Sequence, residues 1–465
     1  MLEKFIQKMP CACILRSLLE RCLNPATLDK IFAEHSGMQY TRTLLFSTVC
    51  TLMFDVVLKV YPSALKAYLE NQENIPVSQA SFYNKLNGIE PSVCQALIRT
   101  TSKDFMDVMK EFPEKPEILP GYSIRILDGN CIEASEKRLK VLRDISSAPL
   151  PGKSLVVYDP DSCLIRDVYP CQDGHAQERS LLTDVLTTVE ARQLWIADRN
   201  FCTVNFLSGI NQRQAFFIIR KHANTPTTSV EERIFRGEIN GKDKIYEQSV
   251  RVGEATKARL IRIELTQKTS DGDTFIEILS NLPPDISAAT IAELYRKRWK
   301  IETAFQHIEK NLNSEINTLA YPKAALFSFS LALVAYNIFS LMLAAMDSAH
   351  PVAPPPVEET LPETKKEEIK PVSEQISLYY LAHEIAGPLA TLLDFEDELD
   401  WSFIPGLSTP AFAQWLHQVA AHIQWQKLKK SKPRSPKKPR VKPAYDRSKP
   451  HASTFRLLHG IEKSP

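Results

Sequence analysis

The sequence predicts an α/β protein: a mixed-sheet core carrying a β-rich insertion, preceded by a helical region and followed by further helices. Three observations predict it. Up to about residue 110, apolar side chains recur at three- and four-residue intervals, as in Leu44, Leu45, Phe46, Val49, Leu52, Met53, Val56, Val57 and Val60, the period of a helix face. From about 120, short apolar runs alternate with helical stretches, the pattern of strands covered by helices. Between 224 and 284, polar and apolar residues alternate, as in Lys257–Leu265, with turns at Gly237, Asn240-Gly241 and Asp271-Gly272; these are strands with one wet face.

The elements follow in order. Ser78 is an N-cap for a polar-aromatic helix ending at Asn87-Gly88, either the second helix of a DNA-reading helix-turn-helix or a plain bundle helix. Ser123–Asp128 reads as a short strand ending in an acid. Ser154–Tyr158 and Cys163–Tyr169 flank Asp159-Pro160-Asp161, a hairpin connection by its turn chemistry. A helix follows from about Gln177 to Glu190, then Leu194–Asp198, again apolar and again ending in an acid. Another helix leads to Ala215–Ile219, a buried strand. Pro283-Pro284 closes the insertion, and Ser287 caps a long helix through about Asn311. The expected organisation is a helical region at 1–115, a core domain at 116–347 with its insertion at 224–284, a Pro/Glu/Lys-rich flexible linker at 348–373, helices within 374–430 and a basic tail at 431–465.

A chain of 465 residues is long enough for about two to four domains. Its 44% hydrophobic and 24% charged content is that of a globular protein with a sizeable core. The formal charge of +2 conceals an asymmetry: Lys427–Lys449 holds eleven Lys or Arg against the single Asp446, so the remainder is net acidic. That tail points to a polyanionic partner, to which it adds salt-sensitive affinity. The nine cysteines include no CxxC pair, so the reading is free thiols in a reducing cytoplasm rather than a zinc site. The N-terminal residues do not read as a secretory signal. Ala324–Met346 carries no formal charge and is long enough to span a bilayer, but its serines, Asn337 and sparse flanks favour a buried core helix, with no membrane partner.

Two strand-terminal acids, Asp128 and Asp198, and a third on a later helix, Glu302, are candidates for one catalytic cluster. Phosphodiester chemistry needs hard oxygen ligands for two Mg²⁺ ions about 4 Å apart, with Mn²⁺ as a substitute. Tyr295, Arg298 and Glu302 are spaced by three and four residues, so on a helix they project from nearly one face. Asp159 and Asp161 are better explained by their turn, and nothing in the spacing of Asp173 and His175 demands a role.

The run Leu294–Glu302, with Tyr295, Arg298 and Glu302 at these offsets, resembles the signature of bacterial insertion-sequence transposases of the DDE type. Ala197-Asp198-Arg199-Asn200-Phe201 is similar to the family's second-Asp motif, and the likeness runs from about Asp128 to Asn337. The resemblance implies an RNase H-like core with the long apolar helix packed against it. It implies Asp128, Asp198 and Glu302 as catalytic metal ligands, with Tyr295, Arg298, Arg199 and Lys310 on double-stranded DNA. It implies cleavage at element ends and attack of the freed 3′-hydroxyl on target DNA, and residues 1–115 become an end-binding region. A homodimer in the DNA complex and a cytoplasmic, nucleoid-associated bacterial protein follow. The family places a Lys seven residues after the Glu; here that position is Glu309, with Lys310 beside it and Lys300 as another cation. The insertion lacks Trp, which leaves Phe235, Tyr246 or Phe275 to stack on an extruded base. A degenerate DNA-binding descendant, or a nuclease without strand transfer, are the alternatives.

Overall fold

The computed structural model describes residues 2–37, 43–132, 135–254, 256–269, 272–351, 370–385, 400–431 and 451–461. Contacts divide the chain into two compact units. One holds Pro116–Cys131 and Gly152–Gln306; the other holds Met1–Lys115, Ile132–Pro151 and His307–Pro465. The expected 116–347 domain therefore differs from the observed grouping, in which 132–151 and the residues from His307 onward go with the helices.

The strands are β1 (Ser123–Ile132), β2 (Ala148–Leu150), β3 (Gly152–Asp159), β4 (Leu164–Cys171), β5 (Gln193–Ala197), β6 (Phe216–Arg220), β7 (Thr227–Ser229), β8 (Ile234–Ile239), β9 (Asp243–Val252), β10 (Thr256–Glu264), β11 (Phe275–Ser280) and β12 (His451–Ser453). One sheet runs β4-β3-β1-β5-β6-β11-β10-β9-β7, with β8 paired to β9. β3 and β4 form an antiparallel hairpin, whereas β1, β5 and β6 are mutually parallel neighbours. A hairpin laid beside three parallel strands in this order is the RNase H-like arrangement. The insertion is not a separate body: β11 pairs antiparallel with β6, so the insertion continues the same sheet.

Continuous apolar runs form β1, β5 and β6 because both faces are covered. Leu127, Trp195, Ala197, Phe217 and Ile219 share a core with Leu182 and Val185 of helix Leu182–Leu186 and with Phe206, Leu207 and Ile210 of helix Val204–Gln212. On the alternate face Ile124, Ile126, Ile196 and Ile218 are fully buried, each contributing about 1.5–3 kcal/mol. The helix expected over 177–190 is shorter: a 3-10 turn at Glu178–Leu181 leads into Leu182–Leu186. The hydroxyls of Thr187 and Thr188 donate back to the carbonyls of Asp184 and Val185 and close it.

The helical unit is built around helix Pro322–Ala349, which packs against helices Phe46–Val57, Pro91–Met109, Gln79–Gly88 and Thr409–Ala420. It is apolar and long enough to cross a membrane, yet 94% of its most apolar window is buried in the protein. By its contacts it belongs to the helical unit. Two of its buried serines are accommodated locally, Ser330 Oγ donating to the Leu326 carbonyl and Ser340 Oγ to that of Tyr336. Ser78 caps Gln79–Gly88 by accepting from the Ser81 amide, with Phe82 and Leu86 buried and Gln79, Ser81 and Asn84 exposed. None of the nine cysteines is in a disulfide.

Most of the linker (352–369), residues 386–399 of the expected C-terminal helices and most of the basic stretch (432–450) lie outside the described residues. After that stretch, β12 pairs in parallel with β2 and leads into helix Thr454–Leu458, so the range expected as a tail contains ordered structure.

Candidate active site

Strand register sets the first part of the site. The parallel β1–β5 ladder ends at Leu127↔Ala197, and the β5–β6 ladder at Ala197↔Ile219. The next residues on the three strands are Asp128, Asp198 and Arg220, side by side on strands about 4.8 Å apart. Because Leu127, Ala197 and Ile219 point into the core, alternation turns these three to the opposite face. The first strand does not end at its acid: β1 continues to Ile132, but its pairing with β5 stops one residue before Asp128. β5 does stop, at Ala197. Asp198 then opens a 3-10 turn, Arg199–Phe201, pinned by the buried Phe201.

The third acid comes from what the sequence reads as one long helix and the structure divides in two, Ala288–Arg296 and Trp299–Asn311. At the joint, Lys297 and Arg298 donate to the carbonyls of Leu294 and Tyr295, and Lys300 and Ile301 to those of Lys297 and Arg298. These three-residue bonds tighten the turn. Arg259 of β10 holds the entry to the first helix, its Nη1 donating to the carbonyls of Pro283 (2.8 Å) and Ile286 (2.7 Å). Ser287 caps that helix by accepting from Thr290 N.

Arg298 is 8% exposed and ties the acids together. Its Nη1 lies 3.3 Å from Asp128 Oδ2 and its Nη2 2.7 Å from Glu302 Oε1. Its Nε has no hydrogen-bond partner, and its guanidinium carbon lies 5.0 Å from the Trp299 ring centroid. Burial works against the charge of Arg298, but Tyr295, Asp128, Glu302 and Asp198 around it raise its pKa. Burial pushes the Asp128 carboxyl up to about 6; Arg298 and the Gly129 amide oppose that, while Glu302 and Asp198 add to it. Tyr295 is pushed up to about 12 by burial and by Asp198, so its phenol stays protonated.

Asp128 thus feels the charges of both Glu302 and Asp198, with Arg298 between Asp128 and Glu302. Three carboxylates are the hard-oxygen donor set that divalent cations take, and their mutual repulsion is what such an ion would relieve. Among the described residues no three His, Cys, Asp or Glu side chains stand close enough together to hold a metal ion; here Arg298 supplies the positive charge between Asp128 and Glu302.

The other expected residues are placed variously. Arg199 is exposed beside Asp198. Glu309 and Lys310 are exposed on the last turn of Trp299–Asn311, and the Lys310 carbonyl accepts from Lys59 Nζ (3.3 Å). Lys300 donates to the Pro160 carbonyl at 3.5 Å. Asp159 accepts from the amides of Asp161 and Ser162 and pairs with Arg125 at 3.3 Å. Asp173 accepts from the His175 amide. In the insertion, exposed Phe235 meets Tyr246 edge-on at 5.5 Å, and Arg262 covers Phe275. Sequence reasoning missed two residues: Arg220, visible only through the β5–β6 register, and Trp299, 61% exposed next to Arg298.

Residues 120–338 match the family model described as Transposase DDE domain. Over 221 residues the chain is 28% identical to the "Putative transposase y4zB" of Sinorhizobium fredii (strain NBRC 101917 / NGR234), a match covering 43% of this chain and 60% of that relative. The chain thus spans less than two thirds of the relative's length. A cryo-EM structure of the piggyBac transposase synaptic complex with hairpin DNA aligns with 86% of this chain and 84% of its own, at a TM-score of 0.40 and 9% identity. The strand order of the sheet is RNase H-like, and the segment 120–338 is similar to a transposase DDE domain.

Proposed function

We propose that the protein is an active DNA transposase that cleaves phosphodiester bonds at element ends and joins the freed 3′-hydroxyl to target DNA. The observation that carries this reading is the convergence of Asp128 and Asp198, each one residue beyond a parallel ladder, with Glu302 linked to Asp128 through Arg298. Asp128, Asp198 and Glu302 would hold two Mg²⁺ or Mn²⁺ ions, which when bound supply Lewis-acid stabilisation of charge at the scissile phosphate. The chain's own groups do the positioning. Arg298, freed from one carboxylate, offers a planar fork for two phosphate oxygens. Tyr295, protonated at any working pH, donates a hydrogen bond. Arg199, Arg220 and Lys310 add positive charge for the DNA backbone, and Trp299 offers an exposed face for a base.

Residues 1–115 are the proposed end-binding region, with the exposed face of Gln79–Gly88 as its DNA-reading surface. Double-stranded element ends and target are the substrates, a homodimer in the DNA complex brings two ends together, and the nucleoid is the place of action. A second reading, a catalytically degenerate DNA-binding protein, is favoured by Glu309 at the position of the family's Lys. One experiment separates them: purified protein with labelled element-end DNA and Mg²⁺ or Mn²⁺, beside a Glu302→Gln control. Metal-dependent nicking and joining, lost in the control, is the expected result. Binding without cleavage selects the degenerate reading, cleavage without joining a nuclease, and absence of binding removes both.

A further inference from the structure

Glu178 has no place in the signature, yet its carboxylate reaches the chain beside both strand acids. It opens the 3-10 turn Glu178–Leu181 that follows β4. Asn200 Nδ2 donates to its Oε2 at 2.5 Å, and Asn200 is two residues after Asp198. The next residue, Arg179, donates from Nε to the Asn200 carbonyl at 2.6 Å. On its other side Glu178 lies against Gly129: a Cβ on that glycine would stand 2.1 Å from Glu178 Oε1 and 2.6 Å from Cδ. Gly129 is the residue after Asp128 and donates its amide to Asp128 Oδ1 at 2.9 Å. Any larger residue here would have to push the Glu178 carboxylate aside.

We propose that Glu178 is a positioning residue that sets the separation of Asp128 and Asp198, bracing the backbone after the first and binding the turn after the second. The β1–β5 ladder has its last pair at Leu127↔Ala197, so the acids stand just past the end of that pairing. Beyond that end, Glu178 links the two chain segments through Asn200 and its contact with Gly129. This role rests on the proposed metal-dependent function. Residues that orient ligands without touching the ion change metal affinity by about 10–100-fold when removed.

The test is Mn²⁺ binding to the full chain, followed by the electron paramagnetic resonance signal of free Mn²⁺, with thermal unfolding measured in parallel. Glu178→Ala should weaken Mn²⁺ binding by about 10–100-fold with little change in melting temperature. Glu178→Gln should recover most of the affinity, since its amide oxygen still accepts from Asn200. Gly129→Ala should weaken binding through the clash, and adding Glu178→Ala to it should cause no loss beyond that of Glu178→Ala alone. Unchanged affinity in Glu178→Ala overturns the proposal. So does Glu178→Gln failing as badly as Glu178→Ala, which would assign the effect to the charge itself. If the unsubstituted protein binds no Mn²⁺, the metal-dependent reading falls and this role with it; if it binds and Glu178→Ala binds equally well, this role alone falls.

Discussion

Two sets of buried polar groups, one in each unit, are handled in different ways. In the helical unit Ser330 and Ser340 bond to carbonyls four residues back on their own helix, as Thr101 does to Leu97. In the sheet unit the buried Arg298 is charged and bound to Asp128, 170 residues away, and to Glu302. Local satisfaction lets an apolar helix carry a hydroxyl at little cost. Gathering three acids and an arginine at a half-buried strand edge costs desolvation that packing does not return. Such an arrangement is expected where chemistry, not stability, selects the residues.

The sharpest way to break this contrast is to remove charge from the acids. Glu302→Gln or Asp198→Asn should lower strand cleavage on the order of 10³-fold or more while leaving the melting temperature unchanged or higher; a parallel collapse of stability would make the acids structural. The helical unit should behave the other way. Phe327→Ala, at a fully buried position of Pro322–Ala349, should cost about 3–5 kcal/mol of stability in denaturant titrations. Arg298→Lys keeps the charge but loses the fork between Asp128 and Glu302, and cleavage should fall about 10–100-fold. DNA affinity measured beside it should change far less.

The pH dependence of stability sharpens the comparison further. The Asp128 carboxyl is raised from 3.8 to about 6 in the folded chain, so the folded state binds this proton more tightly than the unfolded one. Its protonated form favours folding at low pH, and that advantage is lost as pH rises from about 4 through 6. In metal-free protein, Asp128→Asn should therefore raise the melting temperature on the order of 2–5 °C at pH 8. The gain should shrink toward pH 4. A variant less stable at pH 8 would mean that the Arg298 pair outweighs burial. Smallest of all, Ser330→Ala in the helical unit should shift stability by less than about 1 kcal/mol.

Much of the site was legible because buried parallel strands and helix spacing write themselves locally. The apolar runs before Asp128 and Asp198 marked the strands, and the offsets of Tyr295, Arg298 and Glu302 marked a shared face. That face survives although the helix is broken at Lys297–Arg298: no Gly or Pro announces the break, which goes with the long-range pairing of Arg298. Arg220 and Glu178 escaped for the same reason, since their neighbours come from register and from a turn packing on another strand. Helix Pro322–Ala349 was read correctly as a core helix, but apolarity on every side does not say which core it belongs to. The 3-10 start of the 178–186 helix was hidden because residues such as Leu181 and Leu182 suit either geometry.

The shared rung at Leu127↔Ala197 also constrains which changes of length the chain can tolerate. Adding or deleting one residue within β5 would turn Asp198 to the opposite side of the sheet, a loss that no substitution elsewhere repairs. The turns between the strands from β6 to β11 carry no such restriction, because extra residues there lengthen a connection and leave the rung untouched. Related chains should therefore differ widely in the size of this insertion while keeping each acid at a constant distance from its own strand.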